Sequence, residues 1–363
     1  MSHDSRRGLA AVSDNAGGFS IREIETPAPG PAEIRTKLLA CGLCHTDYAS
    51  LSWPGPLVLG HEGAGIVDAV GDEVRDVAVG DTVLLNWAMP CGQCFQCDDG
   101  MAPLCEDTHK TSVTASLLDG RPVDRSFRLG AFSEYTLVPE SAATRIPDDI
   151  PPEHACIVGC GVMTGVGSVI NTADVRPGDT VIVIGCGGVG LSVVQGARLA
   201  GARRIIAIDR HANRLQLAET LGATDIIIPG DGDADHSQLV QHVTELCDDR
   251  GADHAFEATG VSSLAFLPLK LVRNGGQAVQ VSGLHGETSM ELTDFFWNKS
   301  YITPLYGDCL PTRDFPRLFD WARSGDLQLG QLISRTYRLQ ELETAMDDML
   351  QGRIAKGVIT FDA

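Results

Sequence analysis

The sequence predicts an α/β protein of two domains: a compact, barrel-like β domain and a doubly wound parallel sheet. Three observations support this prediction. The 363-residue chain is longer than one ordinary hydrophobic core accommodates. Its first third carries short alternating strands separated by turns such as Gly71-Asp72 and Gly80-Asp81. From Asp179 onward, near-continuous apolar runs, typical of strands buried on both faces, alternate with helical patterns.

The composition indicates a soluble globular protein. The net charge is −20, from 48 acidic and 28 basic residues, which disfavours nucleic acids and anionic membranes as partners. No apolar run reaches membrane length, and the first seven residues are polar, unlike a secretory signal. The 11 cysteines fall partly in metal-type clusters. We therefore expect a reducing, cytoplasmic location.

Short strands are expected along the first domain. The alternation of apolar and polar residues, with Gly and Pro breaks between the runs, predicts them at 21–25, 34–40, 63–70, 81–85 and 130–138. The polar, turn-rich residues 106–130 are expected to form a surface loop.

A metal-type motif follows the second of these strands. Cys44 lies close to Asp47, and His61 and Glu62 follow in a Gly-His-Glu sequence. Thiolate and imidazole are ligands that zinc selects, and carboxylates commonly orient such ligands. A third ligand would complete an open catalytic site, and Cys160 is the leading candidate. The alternatives are a buried, satisfied histidine at 61 and a plain buried thiol at 160.

A second cysteine cluster lies between residues 91 and 105. Its spacing is C-x₂-C-x₂-C-x₇-C, formed by Cys91, Cys94, Cys97 and Cys105. Four close thiolates repel each other unless a metal neutralises them, and one tetrahedral zinc satisfies all four. Such a closed site has no room for substrate, so the pattern predicts a structural zinc lobe. An iron–sulfur cluster or unliganded thiols are the alternatives.

A glycine-rich motif opens the parallel-sheet domain. A strand runs from Asp179 into the motif, a helix follows, and a second strand ends about 20 residues later at Asp209. The motif glycines are Gly185, Gly187, Gly188 and Gly190. This context is the dinucleotide fingerprint, with the pyrophosphate at the helix N-terminus. Asp209 would bind the ribose hydroxyls and repel a 2′-phosphate, which favours NAD, although the nearby Arg210 and Arg214 weaken that preference.

Alternating units continue through the rest of the chain. Strands are predicted at 224–228, 252–258 and 277–282, and helices at 239–246 and 265–272. The tail is predicted to hold helices at 315–322 and 339–349 and a closing strand at 357–361. We expect this tail to return to the β domain, which would then comprise 1–161 and 305–363 around a nucleotide-binding domain at 162–304.

In this order, the motifs resemble those of the zinc-dependent medium-chain alcohol dehydrogenases over essentially the whole chain. The resemblance implies a GroES-like catalytic domain, a Rossmann domain, bound NAD and two zinc ions per chain, one catalytic and one structural. Several stretches resemble the glutathione- and mycothiol-linked formaldehyde dehydrogenase branch, and aryl and allylic alcohol dehydrogenases share many of the same features. These stretches are 85–87, 159–163, 170–172 and 306–316. Family habit and a free sheet edge at 277–282 favour a homodimer, then a homotetramer.

The resemblance also implies roles at the catalytic metal. Cys44, His61 and Cys160 resemble the zinc ligands. Glu62 resembles the acid beside the zinc that can assist ligand exchange, and we count it with the metal-binding residues. Asp47 resembles the carboxylate that orients the histidine. The hydroxyl of the threonine at 46 (Thr46) resembles the group that accepts the substrate proton.

Further roles concern the cofactor and the substrate. His45 and Lys356 fall where cationic groups contact the pyrophosphate. The alternatives are an exposed polar side chain for His45 and a plain surface charge for Lys356. Val189 and Thr164 fall beside the nicotinamide. The expected substrate wall consists of Trp53, Trp87, Leu284 and Leu305, and simple packing is the alternative for the tryptophans.

The chain departs from the family pattern at two places. Many members have a histidine that passes the proton to solvent where this chain has Ala49. The relay must then end at a ribose hydroxyl, water or another base. The loop 48–56, part of the substrate wall in the family, is also short. Both changes put specificity for a formaldehyde–thiol adduct in doubt.

Taken together, these features predict a zinc-dependent NAD alcohol dehydrogenase that interconverts an alcohol and its aldehyde. Thr46 is bulkier than a serine at that position, which favours primary alcohols, and aromatic or allylic ones fit the tryptophans. A thiol-dependent formaldehyde dehydrogenase is the alternative enzyme. A non-catalytic nucleotide-binding protein on the same fold is the remaining alternative.

Overall fold

A computed structural model of the chain describes residues 5–14, 16–107, 115–230 and 235–362. The described residues form 18 strands and 11 α-helices. The strands are β1 (Arg6–Ser13), β2 (Phe19–Thr26), β3 (Glu33–Gly42), β4 (Leu57–Val58), β5 (Glu62–Val70), β6 (Thr82–Leu85), β7 (Ala115–Leu117), β8 (Pro122–Arg125), β9 (Tyr135–Pro139), β10 (Ala143–Arg145), β11 (Thr180–Ile184), β12 (Arg204–Ile208), β13 (Asp225–Ile227), β14 (Ala252–Glu257), β15 (Val272–Gln280), β16 (Ser300–Ile302), β17 (Ile333–Arg338) and β18 (Lys356–Thr360). The helices are α1 (His45–Ala49), α2 (Phe95–Asp98), α3 (Pro152–Ala155), α4 (Gly161–Gly167), α5 (Gly188–Leu199), α6 (Ala212–Leu221), α7 (Ser237–Leu246), α8 (Leu267–Leu271), α9 (Pro311–Ser324), α10 (Leu329–Leu332) and α11 (Leu342–Leu350).

The chain divides into two compact units. The first comprises Met1–Cys160 and Leu310–Ala363, and the second comprises Gly161–Cys309. The sequence places these divisions at 161/162 and 304/305. In the first unit, β18 pairs antiparallel with β3, with Val358 opposite Gly42, so the C-terminal tail completes the sheet that carries the early motifs.

The first unit contains a small closed barrel, as its short strands predict. Its strand order is β1-β2-β7-β8-β4, with β4 returning to β1. Two of these strands lie within 106–130, so the prediction of a surface loop over that range is wrong for the described part. The hydrogen bonds that β7 makes to β2 and β8 outweigh the polar, turn-rich composition of this segment. Residues 108–114 of the predicted loop lie outside the described residues.

A larger sheet of the first unit carries the site described below. Its order is β10-β6-β5-β3-β18-β17, and β9 also pairs with β3. Alternate side chains of β3, such as Leu38, are buried together with Phe132, Tyr337 and Met346 in one apolar core. The central strand β3 is therefore fixed on both edges and on one face, and it ends at the first metal motif.

The second unit is a six-stranded parallel sheet in the order β13-β12-β11-β14-β15-β16. All five residues of β11 are buried, as its near-continuous apolar sequence predicts. The strand order reverses next to β11: β12 and β13 lie on one side of it, and β14 to β16 lie on the other. Parallel sheets of this kind bind nucleotides at the point of reversal. The predicted free edge at 277–282 is wrong, because β15 pairs with β16, which is itself the edge strand.

Among the described residues, no single helix is long and apolar enough to cross a membrane, although Pro152–Gly159 and Gly161–Thr172 would pass that test as one bent pair.

Candidate metal centres and nucleotide-binding loop

Four side chains of the first unit converge on one point. Cys44 follows β3 and precedes α1, His61 and Glu62 meet at the start of β5, and Cys160 follows a 3₁₀ turn at Cys156–Gly159. One potential ligand atom from each of these four residues lies within 4.8 Å of the others. The Nε2 atom of His61 is 3.4 Å from the Sγ atom of Cys160. The sequence motifs that lie far apart in the chain therefore form a single cluster.

Asp47 connects two of these ligands and is fully buried. Its Oδ1 atom is 2.6 Å from Nδ1 of His61, and its Oδ2 atom accepts a hydrogen bond of 3.0 Å from the backbone N–H of Cys44. A proton held on Nδ1 leaves the Nε2 lone pair facing the cluster. Asp47 thus fixes both the orientation and the tautomer in which His61 can bind a cation.

The electrostatics of the cluster favour a bound cation. A hydrogen bond with Cys160 holds the pKa of Cys44 well below the usual thiol range, against the effect of burial. The same hydrogen bond, together with burial, raises the pKa of Cys160. Burial alone would lower the pKa of His61, but the Asp47 charge and hydrogen bond raise it. Metal binding at this cluster would displace the remaining thiol proton.

A buried ion pair adjoins the cluster. The Nζ atom of Lys356 lies 2.6 Å from the Glu62 carboxylate and donates a hydrogen bond of 2.9 Å to the backbone oxygen of Leu43. Burial raises the pKa of Glu62 to about 7, although the Lys356 charge opposes this effect. A Cβ atom on Gly42 would come within 2.0 Å of the Glu62 carboxylate, so only glycine fits opposite this side chain. The interpretation of Lys356 as a surface charge is wrong, because it is only 7% exposed; its contact with pyrophosphate stays a prediction.

The donor set fits a zinc ion. Two sulfurs, one imidazole nitrogen and a nearby carboxylate are the groups that zinc binds in four-coordinate sites. A separation of up to 4.8 Å between the candidate ligand atoms is close to the edge of a zinc tetrahedron, about 3.3–3.8 Å, so small shifts would complete it. Three of these residues would suffice for an open catalytic site, with Glu62 as a further potential ligand.

The four cysteines of the predicted lobe form the second candidate metal site. Their Sγ atoms also lie within 4.8 Å of one another, and the residues are Cys91, Cys94, Cys97 and Cys105. Short helical segments, α2 and a 3₁₀ turn at Ala102–Leu104, bring them together. Backbone N–H groups donate to three of the sulfurs, from Gln93 to Cys91, from Glu106 to Cys94 and from Cys91 to Cys105. These contacts are typical of a closed tetrahedral zinc site.

The glycine loop of the second unit has the geometry of a dinucleotide site. Gly187 precedes α5, so the first backbone N–H groups of that helix face outward from the loop. A Cβ atom on Gly190 would come within 1.8 Å of the backbone oxygen of Gly185, so no larger residue fits there. Asp209, at the end of β12, accepts hydrogen bonds from the backbone N–H groups of Cys186 (2.7 Å) and His211 (2.8 Å). The acid therefore also supports the loop that precedes the helix.

Glu257 is a buried acid of this unit that the sequence analysis did not single out. It ends β14 and accepts hydrogen bonds from the backbone N–H of Thr259 (2.7 Å), the side-chain amide of Gln280 (2.6 Å) and the hydroxyl of Ser282 (2.5 Å). Thr259 in turn lies against Gly185, since a Cβ atom there would be 2.7 Å from the Thr259 methyl group. Glu257 thus connects the loop after β14 to the loop after β15, and Thr259 of the first loop lies against the glycine loop. The sequence feature that could have identified Glu257 is an acidic residue at the end of a buried strand.

An aromatic cluster lies against the first metal site. The ring of Phe127 is 4.6 Å from that of His61, 5.1 Å from Trp53 and 5.4 Å from Trp87. The two tryptophans were expected on the substrate wall, but Phe127 was missed because it lay in the predicted surface loop. Its φ of 52° turns the chain sharply at this point, and no sequence pattern signals that conformation in a phenylalanine.

Other predicted contacts stay predictions. His45 is exposed at the start of α1, while Val189 and Thr164 are partly buried in α5 and α4. Leu284 and Leu305 belong to the second unit.

Comparisons with known proteins agree with these features. The model of an alcohol dehydrogenase GroES-like domain matches residues 30–148, and that of a zinc-binding dehydrogenase matches residues 188–324. An S-(hydroxymethyl)glutathione dehydrogenase from Synechocystis sp. is 36% identical over 369 residues, which cover 97% of this chain and 99% of the relative.

Two solved structures are similar along the whole chain. An alcohol dehydrogenase zinc-binding domain protein from Burkholderia ambifaria has a TM-score of 0.91 and 30% identity, covering 99% of this chain and 100% of the other. A benzyl alcohol dehydrogenase from Acinetobacter calcoaceticus has a TM-score of 0.89 and 29% identity, covering 98% and 100%. The predicted fold class and family are confirmed. This chain therefore belongs to the zinc-dependent, NAD-linked medium-chain alcohol dehydrogenases and is an oxidoreductase.

Proposed function

We propose that this protein reversibly oxidises a primary alcohol to its aldehyde with NAD, and that it prefers alcohols carrying an aromatic ring. The observation that carries this proposal is the contact between Phe127 and His61, with centroids 4.6 Å apart, in a cluster completed by Trp53 and Trp87. Aromatic rings attract further rings through edge and face contacts. A benzylic alcohol would therefore gain contacts beside the metal cluster that a short aliphatic alcohol lacks.

Side chains around the cluster have complementary roles in this reaction. Zinc held by Cys44, His61 and Cys160 would lower the pKa of the substrate hydroxyl. Asp47 holds His61 with Nε2 toward the cluster. The Thr46 hydroxyl lies 3.6 Å from the sulfur of Cys44, which suits it to accept the substrate proton. The bound nicotinamide supplies the hydride acceptor.

The proposal of NAD rather than NADP rests on Asp209. Its carboxylate is only 7% exposed and is held by two backbone N–H groups, so its charge is fixed near the loop. A 2′-phosphate would be repelled there. Arg214 lies 3.9 Å from this carboxylate, and Arg210 is exposed. We assign Val189 and Thr164 to the nicotinamide and His45 to the pyrophosphate on the family resemblance alone.

A thiol-dependent formaldehyde dehydrogenase is the second candidate. The Synechocystis relative bears the name of such an enzyme. In this chain, Arg128 directly follows Phe127, and its Nη1 atom is buried without a hydrogen-bond partner among the described residues. A guanidinium binds carboxylates well, and low-molecular-weight thiols such as glutathione carry carboxylates. In a thiol-dependent formaldehyde dehydrogenase, Arg128 would therefore bind the thiol substrate. In an aromatic alcohol dehydrogenase, Phe127 would contact the ring of the alcohol.

A substrate panel with two matched variants separates the candidates. NAD reduction is measured with benzyl, cinnamyl and straight-chain primary alcohols, and with formaldehyde in the presence and absence of glutathione or mycothiol. For an aromatic alcohol dehydrogenase, Phe127→Ala lowers kcat/KM for benzyl alcohol roughly tenfold relative to a straight-chain alcohol, while the neighbouring Arg128→Ala has little effect. Turnover that requires formaldehyde plus thiol, and that falls with Arg128→Ala, would contradict the first candidate.

We also propose a homodimer, with a homotetramer as the next possibility. The edge strand β16 has one neighbour in the sheet, β15, and the segment before it exposes Leu292 (71%), Phe296 (57%) and Trp297 (73%). Exposed apolar side chains beside a free sheet edge favour self-association. Light scattering should give twice the chain mass, and Trp297→Asp should reduce the measured mass. A wild-type monomer would contradict the proposal.

We also propose a cytoplasmic location. All 11 cysteines are free, which supports a reducing compartment.

A further inference from the structure

Two acids lie at the ends of the strands that flank the central strand β11 of the second unit. Asp209 directly follows β12, which pairs with one edge of β11, and Glu257 ends β14, which pairs with the other edge. The glycine loop follows β11 and lies between these two strand ends. Asp209 would bind the adenosine ribose, so a dinucleotide that crosses the point of reversal has its nicotinamide half on the side of Glu257.

Glu257 is a fully buried carboxylate whose hydrogen-bond donors, among the residues that the structure describes, are all neutral. Its Oε1 atom accepts hydrogen bonds from the backbone N–H (2.7 Å) and the hydroxyl of Thr259. Its Oε2 atom accepts from the side-chain amide of Gln280 (2.6 Å), the hydroxyl of Ser282 (2.5 Å) and the backbone N–H of Gly260 (3.4 Å). A carboxylate accepts about four hydrogen bonds. Both oxygens are therefore used in contacts with the two neighbouring loops.

The loop after β14 is fixed through Thr259. Because the Thr259 hydroxyl donates to Glu257, its lone pair is free to accept a hydrogen bond of 3.0 Å from the backbone N–H of Val261. A Cβ atom on Gly185 would lie 2.7 Å from the Thr259 methyl group and 3.0 Å from its backbone nitrogen. The carboxylate thus determines the turn of this loop, and the loop packs directly on the glycine loop.

The loop after β15 is fixed through Gln280. Its side-chain amide also donates to the hydroxyl (2.7 Å) and the backbone oxygen (3.1 Å) of Ser282, and its Oε1 atom accepts from the Tyr301 hydroxyl at 3.0 Å. Burial raises the pKa of Tyr301 to about 12, so this hydroxyl remains a donor. The two loops adjoin, since a Cβ atom on Gly260 would come within 3.2 Å of the Gly283 backbone oxygen. One carboxylate therefore orders both loops at this edge of the sheet.

We propose that Glu257 is a positioning residue for the nicotinamide half of the cofactor, because its carboxylate holds the loops after β14 and β15 in the arrangement that this half requires. Asp209 supports the glycine loop from the other side, through the backbone N–H of Cys186 at 2.7 Å. The inference rests on the binding of NAD in the proposed function and not on the identity of the alcohol. The bound nicotinamide supplies the hydride acceptor, and Glu257 contributes the shape of the loops around it.

The first variant is Glu257→Gln, with NADH and ADP as probes. The amide has the size of the carboxyl group, but it brings an N–H donor into a set of donors and cannot accept from all of them. ADP carries the adenosine and the two phosphates without the nicotinamide half. Affinity for NADH should fall roughly tenfold, whereas affinity for ADP should stay within about twofold of the wild type. Calorimetric titration of the full-length protein measures both.

Asp253→Asn is the matched control. Asp253 lies on the same strand, β14, at the opposite end, and its carboxylate accepts hydrogen bonds of 2.7 Å from the backbone N–H of Thr180 and from Nε of Arg273. Its loss disturbs the same sheet by removing an acid with a similar set of donors. The thermal midpoint should fall in this variant, while the affinities for NADH and ADP should both remain those of the wild type.

Thr259→Val provides a second test that leaves the carboxylate in place. Valine keeps the methyl group that lies against Gly185 but removes the hydroxyl that donates to Glu257. Affinity for NADH should fall by a smaller amount, roughly threefold, with affinity for ADP unchanged. This variant decides the question if Glu257→Gln does not fold.

The outcomes separate the inference from the proposed function. Selective loss of NADH affinity in Glu257→Gln and Thr259→Val, absent in Asp253→Asn, supports the positioning role. Equal weakening of NADH and ADP would overturn it, because Glu257 would then support the glycine loop or the unit as a whole, and unchanged affinity for both would overturn it as well. A wild type that binds NADPH at least as tightly as NADH would instead contradict the proposed preference for NAD. The Glu257 effect would then appear with NADPH, which carries the same nicotinamide half.

Discussion

The two candidate metal clusters differ in their ligands and in how deeply they are buried. The first joins two cysteines to His61 and Glu62, and it is surrounded by the buried charges of Asp47 and Lys356. The second consists of four cysteines, each partly exposed, on short segments such as α2. Beside its sulfurs, Phe95 is 70% exposed. The first cluster therefore lies within a packed sheet. The second lies on an exposed segment, where bound metal would hold the chain together instead of a packed core.

This difference predicts a different role for a metal ion bound in each cluster. The sheet holds the residues of the first cluster by strand pairing and by the Asp47 and Lys356 contacts, so its ligands do not need the metal in order to meet. A site assembled in advance can leave one position free for substrate. Among residues 91–105 of the lobe, Ala102 is the single buried residue, so we expect metal binding to supply the energy that orders this segment. We expect the first ion to control turnover and the second to control stability.

The largest effect should follow from His61→Ala. Loss of an imidazole ligand removes the metal or its geometry, and with it several kcal/mol of stabilisation of the alkoxide. Turnover should fall by roughly 10³-fold or more. The thermal midpoint should change little in comparison with the lobe variant described next. Steady-state NAD reduction and calorimetry of the same sample measure both, and turnover within tenfold of the wild type would contradict the assignment.

The reverse pattern is expected for Cys97→Ser in the lobe. Metal loss there should lower the free energy of unfolding by several kcal/mol and the thermal midpoint by on the order of 10 °C. The enzyme that remains folded at low temperature should keep most of its turnover per active site. Cys247→Ser, in the second unit and outside both clusters, is the matched control. A variant that melts like the wild type but has lost turnover would reverse the two roles.

A smaller effect should follow from Asp47→Asn, which tests whether the first cluster is held by its surroundings. The amide can still contact Nδ1 of His61, but it no longer supplies the charge that raises the pKa of the imidazole. Zinc affinity and turnover should fall roughly 10–100-fold. Competition with a fluorescent zinc chelator measures the affinity. If Asp47→Asn retains zinc as tightly as the wild type, the carboxylate does not orient the ligand.

The sequence predicts some features of this comparison better than others. The ligands of both clusters were recognisable because cysteine spacing and the Gly-His-Glu motif are local patterns. The partnership of Lys356 with Glu62 was not recognisable, because the two residues lie 294 positions apart in the chain and their contact depends on the pairing of β18 with β3. The position of Phe127 depends on a left-handed backbone angle inside a segment that reads as a loop.

In the sheet of the second unit, too, local sequence patterns are predicted correctly and features that depend on neighbouring elements are not. The fully buried, largely apolar β11 and the glycines after it predict the nucleotide site from sequence alone. Helix α6 was not predicted, because its apolar residues are interrupted by polar ones, and only Leu215, Ala218 and Leu221 are buried. The edge of the sheet was misplaced because β16 is only three residues long and carries little pattern. Short elements are defined by their neighbours rather than by their own sequence.

The most direct test of this account is zinc K-edge X-ray absorption of the wild type and of Cys97→Ser, with zinc content measured on the same samples. The wild type should hold two zinc ions per chain, one for each cluster, with an average of about three sulfur ligands per zinc. Cys97→Ser should hold one zinc ion with about two sulfur and two lighter ligands, and should remain active. A variant whose remaining zinc has four sulfur ligands, or that is inactive at full zinc content, would contradict the division into one catalytic and one structural site.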